Sequence, residues 1–193
     1  MFLFSAAVYG NPESLPVTEG HVTNPILPYG FHKFQCDQLC KEFSQVYGLK
    51  TAIIRIFSAY GPGLHRQVIW DVCYKAMTQE SVLLKGTGDE SRDFIHAADI
   101  ARALMSVAIS SPMNGDIYNL GSGLEVSIQN MANLILANLK NQCSLEFDGI
   151  IPEGNPLNWV ADISKMKKLG YSPSVQLDAL WVKETGGISG HLT

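Results

Sequence analysis

The sequence predicts an α/β fold built around a parallel β-sheet, and three observations point to it. Residues 50–57 form an almost continuous apolar run, which is typical of a strand covered on both faces of a parallel sheet. A strand-like segment over residues 2–4 and a helical pattern from Tyr29 precede that run, so the order is strand, helix, strand. The 193 residues are 46% hydrophobic and 17% charged, which is the composition of a folded protein and excludes a disordered or coiled-coil chain.

Local signals define the first strand and the first helix. Residues 2–4 predict the end of a buried strand that delivers Ser5 to a loop. Four prolines within residues 11–28 predict an irregular connection. From Tyr29 onward, apolar residues recur at helical spacing, and Gly48 is the expected residue that ends this helix.

Helix and strand patterns continue to alternate toward the carboxyl end. The predicted elements are a helix over residues 67–78, a strand over 82–84, a helix over 97–110, a strand over 117–120, a helix capped by Ser127 that runs to about 139, and a short helical segment over 163–169. Residues 184–193 show no pattern and are predicted to form a loose tail.

Charge and cysteine usage narrow the range of partners. A formal net charge of −4 argues against nucleic acid as the main partner. No apolar run reaches the roughly 18 residues that a membrane span requires, so no membrane association is expected. The four cysteines form no CxxC pair and no cluster with histidine, which predicts reduced thiols in a cytoplasmic protein and no metal site.

Tyr29 and Lys33 form the sharpest local chemical signal. Their i, i+4 spacing places a phenol and an ammonium group on one helix face, about one turn apart. A nearby cation favours the phenolate form of a tyrosine, so the pair could accept and return a proton. Such a pair also arises by chance in a chain of this size, and the spacing alone does not decide its role.

The Tyr29–Lys33 pair lies in the second of six segments that follow one another along the chain. They are FSAAVYG (4–10), PYGFHK (28–33), RIFSAYGPG (55–63), GTGDESRDFIHAADIA (86–101), YNLGSG (118–123) and ADISKMKKLGYSP (161–173). Through them the chain resembles the NAD-dependent epimerase/dehydratase family, the extended short-chain dehydrogenase/reductases, and within it the UDP-hexose 4-epimerases. The resemblance implies the carboxyl-terminal part of a Rossmann-type parallel sheet plus a small α/β substrate-binding domain.

The resemblance also implies a catalytic site and a cofactor. Ser5 would hydrogen-bond the sugar oxygen, and Tyr29 would be the acid/base that moves its proton. Lys33 would bind the ribose hydroxyls of the nicotinamide half of NAD and stabilise the Tyr29 phenolate. Phe57 would border the nicotinamide, with Ser58 where many members have asparagine.

A second group of residues is implied to contact a nucleotide-sugar substrate. These residues are Ser5, Ser58, Gln67, Val68, Lys85, Arg92, Asn155 and Trp159. Arg92 would bind the nucleotide or its diphosphate, a task that suits the two-pronged guanidinium. Pro152 stands where many epimerases have an arginine, whereas Asn155 can still bond a ribose hydroxyl. The bulky Trp159 favours a plain hexose over an N-acetylhexosamine.

The activity implied is that of an NAD-dependent sugar-nucleotide 4-epimerase, which oxidises C4 of a UDP-hexose transiently and reduces it again. Ala6 and Ala7 replace the acidic residue that dehydratases and decarboxylases use, which favours an epimerase or a reductase over elimination chemistry. Two alternatives remain open: a non-catalytic remnant that does not bind NAD, and a nucleotide-sugar reductase or dehydratase of the same family.

The chain lacks one sequence motif that such an enzyme needs, the glycine-rich turn that binds the pyrophosphate. The sequence has no GxxGxxG turn for the pyrophosphate, and GSG at residues 121–123 lacks the remaining glycine. We expect an amino-terminally truncated chain that lacks about three βαβ units. The expected division is a partial NAD-binding region over residues 1–62, a mainly substrate-binding region over 63–183 whose strand near 117–120 returns to the sheet, and the tail. A homodimer is expected through the helix that starts at Tyr29.

Several residues in these motifs have a structural interpretation. Asp93 is expected to be a turn partner and Asp99 a helix-start charge. His96 lies in an apolar stretch and is expected to be a hydrogen-bonded, semi-buried side chain. Cys36 and Cys40 share a helix face and are expected to pack in the core or at a dimer face.

Overall fold

The computed structural model describes residues 1–139, 143–151 and 156–177. Strands and helices alternate along it. The strands are β1 (Phe2–Ser5), β2 (Thr51–Ile56), β3 (Ser58–Tyr60), β4 (Ser81–Leu84), β5 (Ser91–Arg92), β6 (Phe94–His96), β7 (Asn114–Leu120), β8 (Val126–Ser127) and β9 (Ser144–Phe147). The helices are α1 (Pro28–Tyr47), α2 (Gln67–Thr78), α3 (Ala97–Ser110), α4 (Ile128–Leu139) and α5 (Ser164–Lys168). The predicted tail at 184–193 lies outside the described residues.

A three-stranded parallel sheet with the order β1–β2–β7 forms the base of the fold. The middle strand is covered on both sides because successive side chains point to opposite faces. Ile54 packs in a core cluster with Ala103 and Val107 of α3, whereas Ile53 packs with Phe4 and with Cys40 of α1. This arrangement confirms the parallel α/β sheet that the apolar run in β2 predicts.

The first strand is less buried than its sequence predicts. Phe4 is buried, but Phe2 and Leu3 are about half exposed, so the prediction of a buried strand end is wrong for these two residues. In the described part of the chain β1 pairs only with β2, which leaves its other edge uncovered. A run of three apolar residues therefore did not distinguish an edge strand from a central one.

A second core lies between helices α2 and α4 and the parallel pair β4–β9. Its fully buried residues include Val72, Val82, Met131, Ala132 and Ile135. The sequence predicts β4 and both helices. It does not predict β9, whose four residues are alternately exposed and half-buried and give no continuous apolar run.

Helix boundaries agree with the capping signals in the sequence. Helices α2 and α3 have the bounds that their apolar periodicity predicts. Gly48 follows α1 with a φ of 66°, and its amide nitrogen donates to the carbonyl oxygen of Ser44. Ser127 caps α4, since its Oγ accepts from the amide nitrogen of Asn130 at 3.1 Å. Within the described residues, no helix has both the length and the apolar character that crossing a membrane demands.

The Asp93 carboxylate connects three segments that are distant in sequence. One oxygen accepts from the amide nitrogen and hydroxyl of Ser122, at 2.6 and 2.7 Å. The other accepts from the amide nitrogens of Gly123 and Ala161, both at 3.0 Å. Burial raises the pKa of Asp93 above its usual value, and these hydrogen bonds oppose the rise. The backbone carbonyl of Asp93 also accepts from the Ser58 amide, so one residue joins β3, β6, the loop after β7 and residue 161.

The close approach of this carboxylate generates a prediction about Gly121. A Cβ at Gly121 would lie 2.3 Å from Oδ2 of Asp93, whereas a Cβ at Gly20 would meet nothing closer than 3.8 Å. Neither glycine has a φ that disfavours alanine. We expect Gly121→Ala to lower the free energy of unfolding by about 1–3 kcal/mol, and Gly20→Ala to change it by less than about 0.5 kcal/mol. Urea unfolding followed by circular dichroism measures both, and equal stabilities of the two variants would contradict the prediction.

Candidate active site

The loop after β1 and the first turn of α1 lie against each other. Ser5 ends β1, and its Oγ accepts from the amide nitrogen of Ala7 at 3.2 Å as a short 3-10 turn begins. A Cβ at Gly30 would lie 2.6 Å from the carbonyl oxygen of Ala7. Only glycine therefore allows this close approach, which brings the turn that contains Tyr29 next to the loop that begins at Ser5.

Lys33 lies between α1 and β1, beside the phenol ring of Tyr29. Its Nζ is 5.7 Å from the Tyr29 ring centroid and 5.6 Å from the Phe4 ring centroid. The same ammonium donates to the carbonyl oxygen of Leu3 at 3.4 Å. Tyr29 itself is more than half exposed. The predicted sharing of one helix face by Tyr29 and Lys33 is confirmed.

An aromatic cluster lies next to the same loop. The indole Nε1 of Trp159 donates to the carbonyl oxygen of Gly10 at 2.9 Å, and its ring meets that of Phe57 edge to face with centroids 6.0 Å apart. The Arg92 guanidinium lies 5.9 Å from the Trp159 ring centroid. Three of the predicted site residues are therefore brought together around the end of the 5–10 loop.

Arg92 is oriented by the backbone beside this cluster. Its Nη1 donates to the carbonyl oxygens of Ser91 and Leu157, at 2.7 and 3.2 Å. Burial lowers the pKa of Arg92, and the nearby Glu90 carboxylate opposes the shift. Because a guanidinium has five N–H donors, those not used by these carbonyls can bind an anion.

The other predicted substrate residues lie on separate elements. Ser58 follows Phe57 and donates its amide to Asp93. Gln67 is exposed at the start of α2 with a φ of 72°, and Val68 packs against the second core. Lys85 is exposed directly after β4. Among the described residues, no hydrogen bond or ring contact joins Gln67 or Lys85 to the Trp159 cluster, and Asn155 lies outside them.

Three residues with a structural interpretation have structural roles. Asp93 makes the connections described above. Asp99 accepts from the amide nitrogens of Ser174 and Val175 and pairs with Arg102. His96 caps α3, because its Nδ1 accepts from the Ala98 amide at 3.1 Å. The structural interpretation of all three is therefore confirmed.

The remaining candidate ligands give no further site. Cys40 is buried in the core under α1, whereas Cys36 is exposed on the same helix. In the part of the chain that the structure describes, no three histidine, cysteine or acidic side chains come close enough to bind a metal.

The sequence interpretation missed a buried polar network beside the site. Arg55 in β2 pairs with Asp37 of α1, and its guanidinium lies 4.8 Å from the ring centroid of Tyr9. The Tyr9 hydroxyl donates to Oδ1 of Asn119 at 2.7 Å. An arginine inside an otherwise apolar strand was the available signal, since a buried charge requires a partner.

Comparison with known proteins agrees with this architecture. The model of the NAD dependent epimerase/dehydratase family matches residues 1–121. A putative UDP-glucose 4-epimerase of Methanocaldococcus jannaschii is 31% identical over 178 residues, which are 89% of this chain and 56% of that protein. The chain thus spans about half the length of the curated relatives it matches.

Two solved structures share the fold. The UDP-N-acetylglucosamine 4-epimerase from Methanobrevibacter ruminantium M1, in complex with UDP-N-acetylmuramic acid, is 28% identical with a TM-score of 0.88 and covers 98% of this chain and 62% of its own. The UDP-glucuronic acid 4-epimerase from Bacillus cereus, in complex with UDP-glucuronic acid and NAD, is 25% identical with a TM-score of 0.89. The match covers 97% of this chain and 60% of the Bacillus cereus chain. Together with the match over residues 1–121, these similarities establish that the chain belongs to the NAD-dependent epimerase/dehydratase family.

Proposed function

We propose that this chain is the acid–base and sugar-nucleotide-binding part of an NAD-dependent sugar-nucleotide 4-epimerase. One observation carries the proposal: Lys33 lies beside the ring of an exposed Tyr29, on a helix whose Gly30 packs directly on the loop from Ser5. This is the arrangement that proton transfer at a sugar hydroxyl requires, with a base, a cation that stabilises it and a neighbouring hydroxyl.

The three polar side chains have separate tasks in this proposal. Tyr29, as the phenolate, takes the proton from the C4 hydroxyl and later returns it. Lys33 stabilises that phenolate through its ammonium, which the contact with Leu3 keeps close. Ser5 donates a hydrogen bond to the same sugar oxygen, since its Oγ accepts from Ala7 and donates to no partner among the described residues.

The residues present fit one end of a nicotinamide cofactor. Lys33 and Tyr29 would bind the ribose next to the nicotinamide, and Phe57 at the carboxyl end of β2 would border the ring. When bound, NAD supplies the acceptor and donor of the hydride at C4. The chain has no GxxGxxG turn for the pyrophosphate, so the proposal leaves that part of the cofactor to a further polypeptide segment.

The substrate is proposed to be a UDP-hexose. Arg92 is partly buried, and its N–H donors other than those bonded to Ser91 and Leu157 would bind the diphosphate. The names of the relatives cover UDP-glucose, UDP-N-acetylglucosamine and UDP-glucuronic acid. The indole of Trp159, fixed by Gly10 and Phe57, leaves less room beside the loop and favours a plain hexose.

The 5–10 loop favours epimerisation over elimination. Ala6 and Ala7 follow Ser5, and neither side chain can remove a proton next to a ketone. A reductase of the same family would differ by net consumption of reduced cofactor. A remnant without catalysis would bind no NAD even when the segment for the pyrophosphate is supplied.

We further propose that the protein is cytoplasmic and that its two regions have different tasks. Residues 1–62 would contribute the cofactor side of the site, and residues 63–183 would mainly bind the nucleotide sugar. The pairing of β7 with β2 supports a return of the chain to the cofactor side near residues 117–120.

A second copy of the chain is the proposed partner of α1. Besides Tyr29, five large apolar side chains of this helix are exposed: Phe31, Leu39, Phe43, Val46 and Tyr47. Leu39, Phe43 and Val46 follow at i, i+4 and i+7, so they form one face. An exposed apolar face of this size is typical of a contact between protein chains.

The catalytic role of Tyr29 is tested in a reconstituted enzyme, which is this chain supplied with the amino-terminal part of the Methanocaldococcus jannaschii relative. We expect Tyr29→Phe to lower kcat for UDP-hexose epimerisation about 10²–10⁴-fold, because the proton acceptor is lost. Tyr74→Phe, which alters an exposed tyrosine on α2, is the matched control and keeps the wild-type rate. Unchanged turnover of Tyr29→Phe would refute the assignment.

The dimer is tested by sedimentation velocity on this chain. We expect Phe43→Glu to weaken self-association at least about tenfold, because it introduces a carboxylate into the apolar face of α1. Ile109→Glu on α3, at an even more exposed apolar residue, should leave association unchanged. A wild-type chain that stays monomeric at high micromolar concentration, or equal effects of the two variants, would contradict the proposed interface.

A further inference from the structure

A charged pair lies inside the interface between α1 and the central sheet. Arg55 of β2 is 2% exposed and Asp37 of α1 is fully buried. Both Nε and Nη2 of Arg55 donate to Oδ2 of Asp37, at 2.8 and 2.6 Å. Two apolar residues of similar volume often stabilise such an interface as well as a buried ion pair does. Stability alone therefore does not account for this pair.

The position of Asp37 in α1 links it to the proposed catalytic residues. Asp37 follows Lys33 by four residues and Tyr29 by eight, so all three lie on one face of the helix. The ion pair thus attaches this face to β2 one turn beyond Lys33. A rotation or shift of α1 would move Tyr29 and Lys33 together and would break the bonds from Arg55.

Arg55 also belongs to a row of side chains that crosses the sheet. In the register of the sheet, Arg55 lies between Phe4 of β1 and Asn119 of β7, and in-register side chains point to the same face. Phe4 contacts the Lys33 ammonium, and Asn119 accepts from the hydroxyl of Tyr9. The Arg55 guanidinium lies over the Tyr9 ring, at the end of the loop that starts with Ser5.

The geometry of the pair is unsymmetrical in a way that supports a positioning role. Both bonds from Arg55 reach Oδ2, whereas Oδ1 of Asp37 has no hydrogen-bond partner among the described residues. A buried oxygen without a partner is unfavourable for stability. The structure retains this arrangement although apolar residues would avoid it.

We infer that Arg55 is a positioning residue, which keeps Tyr29 and Lys33 of α1 in register with the Ser5 loop by binding Asp37 on one side and the Tyr9 ring on the other. Arg55 touches neither substrate nor cofactor in this inference. Its relevance to catalysis rests on the proposed function, whereas its effect on the position of Lys33 does not.

The first test uses this chain and separates positioning from stability. The double variant Arg55→Met with Asp37→Leu replaces the pair with apolar side chains of similar size, and we expect its thermal midpoint within a few degrees of wild type. Nuclear Overhauser effects from the Lys33 ε-methylene to the Tyr29 and Phe4 rings should fall by at least half. The control replaces the partly exposed pair of α2, Lys75→Met with Asp71→Leu, and should leave those signals unchanged.

The second test uses the reconstituted enzyme and separates kcat from KM. We expect the double variant to lower kcat at least about tenfold, with KM for the UDP-hexose within about twofold because Arg92 and Trp159 are untouched. Arg55→Lys keeps the charge but loses the two-pronged contact, and should recover part of kcat.

Each outcome decides the inference. Full retention of the Lys33 signals in the double variant would overturn it, and so would a loss of kcat that merely follows a loss of folded protein. If the double variant does not fold, Asp37→Asn replaces it with the same two readouts. If Tyr29→Phe is fully active while the double variant still loses the Lys33 signals, the proposed function fails and the positioning by Arg55 stands.

Discussion

Helix α1 can bring Tyr29 and Lys33 to the end of β1 only because its first turn has no side chain at Gly30. The carbonyl oxygen of Ala7 occupies the space that any Cβ would need, at 2.6 Å. The proposed meeting of Ser5 with Tyr29 depends on this contact, since Ser5 lies in the loop on one side of it and the phenol on the other. Glycine is unfavourable within a helix, so its presence here reflects the close approach.

The same loop connects the residues proposed to transfer the proton to the residues proposed to bind the substrate. Gly10, at the end of the loop, accepts from the Trp159 indole, and Arg92 lies beside that ring. Trp159 is two residues from Ala161, whose amide binds the Asp93 carboxylate together with the loop after β7. In the proposed function, these hydrogen bonds would join the chemistry at the sugar carbon to the binding of the diphosphate.

Local patterns predicted much of this fold but not its long-range polar contacts. Helices α2 and α3 were predicted to the residue, because an apolar period is a property of adjacent residues. The exposure of Phe2 was not predicted, because it depends on which strand lies next to β1. Asp37 and Arg55 are 18 residues apart on different elements, and no spacing rule pairs them. Of the proposed site residues, Tyr29 and Lys33 share a helix face because of their spacing, and their role is implied by the family resemblance. The meeting of Trp159 with Gly10 across 149 residues requires the structure.

In the proposed function, the chain contributes to a reversible oxidation at C4 in which the hydride never exchanges with water. A UDP-hexose labelled with deuterium at C4, incubated with the reconstituted enzyme, tests this claim directly by mass spectrometry and proton NMR of the product. The proposed mechanism predicts a 4-epimer that retains the deuterium at C4. A 4-epimer in which hydrogen from water has replaced the deuterium would contradict it.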